Sequence, residues 1–294
     1  MEVHRRYVAQ LGGVEHWSSS CPSSTPASEP QLAELIDTPR GSFLLELHGP
    51  PDASPVVLVA GLGDDHSSWA GPVALLARSH RVVTFDNRGI GDSPVTAGPY
   101  STKQMSEDTH ELVAALGLGH VTAVGSSMGG AICQEWTLAY PDDVDRLILS
   151  NTWGERDRWF SGLLDHWIEL AGRGSGRDLL HQLALFCFSP DYLEEHPDTI
   201  EQFLDAPVPH LDGFRAAARA CQGHHALDRL AGITVPTCVI GGEHDILTRP
   251  TLSRRLAAAI PSAELRWLPV GHMTFWEQPD AWTTAVHEFI EGST

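Results

Sequence analysis

Residues 120–131, HVTAVGSSMGGA, decide the architecture. His120 to Gly125 read as a strand, and Met128 to Tyr140 keep helical spacing as far as Pro141. The stretch therefore reads as strand, tight turn, helix. Across the turn, Gly125-Ser126-Ser127-Met128-Gly129 matches a G-x-S-x-G pattern centred on Ser127. In so tight a turn, side chains at Gly125 and Gly129 would collide with neighbouring backbone, and the central residue is forced into a strained conformation that projects its hydroxyl. Ser126 does not centre the pattern, because Val124 stands two positions before it. A serine at a helix start is also a common N-cap, and the bare pattern arises by chance. The strand-turn-helix context is what makes Ser127 a candidate nucleophile.

The same alternation extends in both directions. Upstream lie a short strand Phe43 to Leu47, a buried strand Pro55 to Ala60, helical spacing from Trp69 to Ser79, a strand Val82 to Phe85 and a helix Thr102 to Leu116. Downstream, Leu147 to Leu149 give a strand, and then the rhythm breaks. Asp157 to Ala171, Arg177 to Phe188, Asp198 to Leu204 and Gly213 to Cys221 all have helical spacing with no strand between them. Alternation resumes with a strand Thr237 to Ile240, a helix Thr251 to Ile260, a strand Glu264 to Leu268 and a helix Ala281 to Ile290. Strands alternating with helices imply right-handed crossovers and a mostly parallel, doubly wound sheet. The fold class is α/β, with a core from 41–152 and 226–294 and an inserted helical cap at 153–225. Residues 18–30, rich in Ser and Pro, mark 1–40 as an N-terminal arm, partly flexible.

Composition narrows the partners. The 294 residues are 42% hydrophobic and 19% charged, a globular balance. Thirty-eight acidic against 19 basic residues give a formal charge of -19, which repels nucleic-acid phosphates and anionic membrane surfaces. No apolar run is long enough to span a bilayer, and the N-terminus has no continuous apolar core of the secretory type. Five cysteines, Cys21, Cys133, Cys187, Cys221 and Cys238, follow no metal-ligand spacing and sit mostly in apolar runs. They are expected to be reduced thiols of a cytoplasmic protein.

A serine hydroxyl is a weak nucleophile until a base accepts its proton, so a histidine and an acid are required, in the chain order Ser, acid, His for a nucleophile in this context. Strand 237–242 ends in Glu243-His244-Asp245, and the next strand ends in Gly271-His272-Met273. Most of the 16 histidines must be surface or packing residues, and His272 stands out by following Asp245 one strand end later. Asp245 would fix the imidazole tautomer, and His272 would act as general base and then general acid. The alternative for Asp245 is a helix N-terminal residue, and Glu243 and Asp142 are weaker candidates for the acid. An oxyanion needs two preorganised N–H donors. Met128, after the nucleophile, offers one, and Leu62 in the loop Gly61-Leu62-Gly63-Asp64-Asp65 offers the second. A phosphate cradle in this loop is disfavoured by the adjacent aspartates and the lack of lysine.

These motifs resemble the α/β-hydrolase superfamily along nearly all of residues 41–294, in particular the branch of 3-oxoadipate enol-lactonases, bacterial methylesterases such as aclacinomycin methylesterase, and cofactor-free haloperoxidases. The resemblance is carried by Gly61-Leu62-Gly63 with Trp69, Asp86 to Ser93 (DNRGIGDS), Gly125 to Gly130, Gly242 to Asp245, Gly271-His272 and Glu277-Gln278-Pro279. One departure is Ala60, where many members carry a histidine, so the loop's anchoring hydrogen bond must come from elsewhere. A serine nucleophile also disfavours epoxide opening and halide displacement, which need a carboxylate there.

The resemblance implies a serine hydrolase acting on a carboxylic ester or lactone through an acyl-enzyme on Ser127. Cap aromatics Trp153, Trp159, Phe160, Trp167, Phe186 and Phe188 are candidate pocket walls, the alternative for each being the cap's own core. They favour a bulky or cyclic substrate. Arg215 and Arg219, four apart, offer a pair to a substrate carboxylate or else form a solvated face. No metal or cofactor is implied, and the oligomeric state is open, a homodimer included. Rival readings are thioester or carbon–carbon bond hydrolysis, peracid formation, and a small-molecule receptor or non-hydrolytic cyclase that keeps the triad.

Overall fold

The computed structural model describes residues 33–292 together with the backbone of Arg5–Tyr7. The Ser- and Pro-rich stretch 18–30, with Cys21, lies outside the described residues. Among the described residues nine strands form one sheet: β1 (Arg5–Tyr7), β2 (Glu34–Thr38), β3 (Gly41–His48), β4 (Pro55–Val59), β5 (Arg81–Phe85), β6 (Val121–Ser126), β7 (Val144–Ser150), β8 (Thr237–Gly242) and β9 (Ala263–Leu268). Their spatial order is β1-β2-β3-β5-β4-β6-β7-β8-β9. The pairings among β1, β2, β3 and β5 are antiparallel and the rest parallel. Strands β4 and β6 have nearly every side chain buried, as expected for parallel strands covered on both faces.

The fold starts earlier than Gly41. Strand β2 pairs in register with β3, Leu35 opposite Leu44 and Ile36 opposite Phe43, and Ile36 is fully buried. Only five residues long and ended by Pro39, this strand is too short for its alternation to stand out; the four-residue span to Gly41 makes it a hairpin arm, so the expected arm 1–40 gives way to the sheet at Glu34.

Winding reverses at β4. From it the chain crosses to β5 on one side, then to β6 on the other, and such a reversal opens a crevice at the strands' carboxyl ends. The sheet is flanked by α1 (Ala70–Leu76), α2 (Thr102–Leu116), α3 (Met128–Ala139), α9 (Pro250–Ala259), α10 (Thr274–Glu277) and α11 (Pro279–Glu291). The bounds of α2 follow from its ends: Ser101 accepts the Gln104 N–H, and Gly117 turns left-handed at φ 62°. Between β7 and β8 lie only helices, α4 (Arg158–Gly172), α5 (Gly176–Cys187), α6 (Pro190–Glu195), α7 (Pro197–Asp205) and α8 (Leu211–Gly223), and a bridge between Glu155 and His225 joins the two ends of this insertion. Helices α6 and α10 are too short for periodicity to have revealed them.

Candidate active site

At the end of β6 the backbone turns sharply, and Ser127 takes φ 52° and ψ -117°, a left-handed conformation that a non-glycine residue adopts at a cost. The flanking glycines permit it. A Cβ on Gly125 would overlap the carbonyl of Gly129, and one on Gly129 would overlap the carbonyl of Val59 in β4. The turn is pinned by Ser127 N–H donating to Ser150 O (2.9 Å) and by Thr152 Oγ1–H donating to Ser127 O (2.7 Å). Ser127 Oγ takes part in no hydrogen bond among the described residues, and the residue lines a cavity of about 470 Å³.

Asp245 and His272 meet beyond the ends of β8 and β9. His272 Nδ1 donates to Asp245 Oδ2 at 2.8 Å, both residues being buried. That bond occupies Nδ1 and leaves Nε2 as the ring nitrogen for the cavity, which His272 also lines. Asp245 receives further bonds from Asn151 Nδ2 (2.7 Å), Thr248 Oγ1 (2.7 Å) and the N–H groups of Leu247 (2.8 Å) and Thr248 (2.9 Å). Burial by itself raises a carboxyl pKa; the charge and hydrogen bond of His272, with Asn151 and Thr248, outweigh it and hold Asp245 below the usual carboxylate range. Asp245 does accept from the N–H groups that follow it, as the helix-terminal alternative supposed, and faces His272 as well. Glu243 and Asp142 are exposed.

Two contributors were not singled out in the sequence. Asn151 follows the end of β7 at φ 45° and bonds both Asp245 and, at 3.3 Å, Gly271 O. Thr248 lies three residues beyond Asp245, within 3.1 Å of His272 Nδ1. The helical insertion grips the His272 turn from the other side. Cys187 O accepts the N–H groups of His272 (2.8 Å) and Met273 (2.9 Å), while Glu277 accepts from Ser189 N (2.8 Å), Ser189 Oγ (2.6 Å) and Gly271 N (3.1 Å).

Met128 N–H opens α3 and is one of the donors that a helix start leaves without an intrahelical acceptor. Leu62 N–H meets no protein acceptor among the described residues. The loop carrying Leu62 is anchored by Asn87, whose Nδ2 donates to Ala60 O at 3.2 Å, so the Asp86 to Ser93 segment supplies the bond that a histidine at position 60 does not. Asp86 braces the same loop by accepting from His66 N (2.8 Å), His66 Nδ1 (2.7 Å) and Asp92 N (2.9 Å). Arg88 in turn forms a bidentate ion pair with Asp108 of α2.

The cavity walls correct the expected pocket. Trp153, Phe160 and Trp167 line it, together with Phe203 and Trp276. Trp159 is 45% exposed and its indole N–H is spent on Ile246 O (2.6 Å). Phe186 packs beside Trp159 and Trp167 rather than lining the cavity. Phe188 stacks on Tyr192 and meets Phe203 and Trp276, one layer behind the wall. Helical spacing identified these rings as apolar but not which side of α5 faced inward. Arg215 and Arg219 stay out of the cavity: Arg215 pairs with Asp212 at 3.3 Å, and Arg219 is exposed.

Asp65, His66 and Asp86 lie close enough to share a metal ion, but the His66 and Asp86 atoms are engaged with each other and Asp65 caps the turn at Ser67. Cys133, Cys187, Cys221 and Cys238 are buried free thiols, and burial pushes their pKa values up, so they are neutral packing groups. Among the described residues no helix is long and apolar enough to cross a membrane.

Known proteins share this fold. Residues 54–279 match the family model of the alpha/beta hydrolase fold. A Rhizobium rhizogenes protein provisionally named carbamate hydrolase RutD is 31% identical over 255 residues, 83% of this chain and 96% of its own. A Mycobacterium tuberculosis protein provisionally named non-heme bromoperoxidase BpoC is 33% identical over 249 residues, 80% and 93% respectively. The crystal structure of the enol-lactonase from Burkholderia xenovorans LB400 superposes with a TM-score of 0.82 at 28% identity, covering 87% of this chain and 99% of that one. The chain belongs to the α/β-hydrolase family and is an enzyme of the hydrolase type.

Proposed function

We propose that the enzyme cleaves a carboxylic ester or lactone of a small organic molecule through an acyl-enzyme on Ser127. The observation that carries this reading is the buried Asp245–His272 pair, 2.8 Å apart, whose His272 lines the same cavity as the strained Ser127 turn. Ser127 Oγ attacks the carbonyl carbon as His272 Nε2 takes its proton. Asp245 holds the tautomer and stabilises the imidazolium, and the N–H groups of Leu62 and Met128 receive the oxyanion. On collapse, His272 returns the proton to the departing alkoxide oxygen. Water then attacks the acyl-enzyme, giving its proton to His272, which passes it back to Ser127 Oγ as the acid leaves. A cavity of about 470 Å³ with aromatic walls suits a drug-sized or cyclic substrate.

The names carried by the relatives favour carbamates as a second substrate class. A carbamate presents the same acyl carbon to Ser127, and its hydrolysis is distinguished by release of ammonia or an amine with carbon dioxide. Turnover of a panel of aryl esters, lactones and carbamates by wild type and Ser127→Ala tests the reading. The expected outcome is ester or lactone turnover reduced by about three orders of magnitude or more in the variant. Equal rates for the two proteins contradict it.

A further inference from the structure

Among the described residues no lysine or arginine lines the cavity, whereas four aspartates do: Asp64, Asp65, Asp86 and Asp92. Three have evident places. Asp86 holds His66 and the Asp92 N–H, Asp65 accepts from Ser67 N (2.9 Å) and Ser67 Oγ (2.5 Å), and Asp92 is exposed at the rim. Asp64 differs, because among the described residues no hydrogen bond or ion pair reaches its carboxylate.

Its position is beside the reacting serine. A methyl group placed on Gly61 would lie 2.7 Å from Asp64 Oδ2 and 3.5 Å from Ser127 Cβ, so the carboxylate and the serine both border the space that glycine leaves open, and both line the cavity. The titratable groups around it are Asp65 on its own loop, His272 beyond β9 and Cys187 at the end of α5. Burial, reinforced by Asp65 and opposed by His272, raises the Asp64 pKa to about 7. Above that pH it is a half-buried anion, open to the cavity, without a protein partner. Burying such a charge is costly unless a bound group completes it. The same cavity is lined by the rings of Trp153, Phe160, Trp167, Phe203 and Trp276, and aromatic ring faces attract cations. The net charge of -19 adds a long-range attraction for the same sign.

We propose that the substrate carries a protonated amine close to its reacting carbonyl, and that Asp64 receives this ammonium group against the aromatic wall. The proposal rests on the serine-hydrolase reading for the place of the carbonyl. It assigns the cavity a cationic substrate class and makes Asp64 a specificity-determining residue.

Benzyl 3-aminopropanoate and benzyl butanoate differ only in an ammonium in place of a methyl group. At about pH 8 the wild type should favour the amine ester about tenfold or more in kcat/KM, and Asp64→Asn should bring the ratio near unity. In the wild type the preference should fade as pH drops below about 6, where the Asp64 carboxyl is protonated. Calorimetric titration with benzylammonium and benzyl alcohol gives a reading independent of turnover and of the variant's folding: the wild type should bind the cation about tenfold more tightly. Equal Kd values in the wild type, or an ester preference that survives Asp64→Asn, overturn the proposal. Tighter benzylammonium binding with no ester turnover upholds the cation site and overturns the hydrolase reading instead.

Discussion

Replacing Asn151 separates how Asp245 is held from how the backbone at the end of β7 is strained. Asn151 is fully buried, its Nδ2 donates to Asp245 Oδ2 at 2.7 Å, and its backbone lies at φ 45°. A hydrogen bond to an ionised carboxylate contributes about 1.5–3 kcal/mol. Glycine adopts this backbone conformation freely, so Asn151→Gly removes the side-chain bonds, the strong one to Asp245 and the long one to Gly271 O, without adding backbone strain, and should cost about 2 kcal/mol. Alanine pays about 1 kcal/mol more for the left-handed backbone, giving about 3 kcal/mol for Asn151→Ala. Against a total stability of about 5–15 kcal/mol either loss is readily measured by urea unfolding near pH 7. The pH dependence carries the sign. Asp245 is held below its unfolded value near 4, so its stabilisation is complete above that value and is lost as pH falls through the folded pKa. Without Asn151 the depression is smaller, and the gap between wild type and variant should shrink in acid. A gap below about 0.5 kcal/mol at pH 7, or one that stays constant into acid, refutes the reasoning.

Two further outcomes follow from the same geometry. Asp245→Asn keeps the shape but leaves His272 Nδ1 without its carboxylate, and kcat on an activated ester should fall by about three to four orders of magnitude, in steady-state assays where KM changes much less. For His66, burial lowers the imidazole pKa, but the hydrogen bond and charge of Asp86 outweigh this and raise it to about 9. That stabilisation is complete below the unfolded value near 6.5 and is lost as pH rises through 9, so thermal melts should show a decline on the order of 2 kcal/mol that is absent in His66→Gln.

The strand and helix order was legible because buried parallel strands write continuous apolar runs, such as Pro55 to Ala60, and helices such as α2 carry their own caps. The candidate triad was legible for a related reason: Ser127, Asp245 and His272 each follow a strand end, and strand ends converge at one edge of a parallel sheet. Strand β2 was not, since five residues before a Pro give too short an alternation to separate from an arm. The pocket wall was read less well. Which of Phe186, Phe188 and Phe203 turns inward depends on how α5 and α7 are rolled against the core, and apolar spacing alone leaves that roll open. Asn151 and Thr248 act through a carboxylate 94 and three residues away, respectively. Only the folded chain brings Asn151 to Asp245.

The central claim is that Ser127 is a nucleophile activated by His272, and intact-protein mass after treatment with a fluorophosphonate tests it most directly. The wild type should gain the mass of one phosphonyl group, mapped to Ser127, and Ser127→Ala should gain none. A folded wild-type protein that acquires no adduct, or an adduct that persists in Ser127→Ala, would contradict the account.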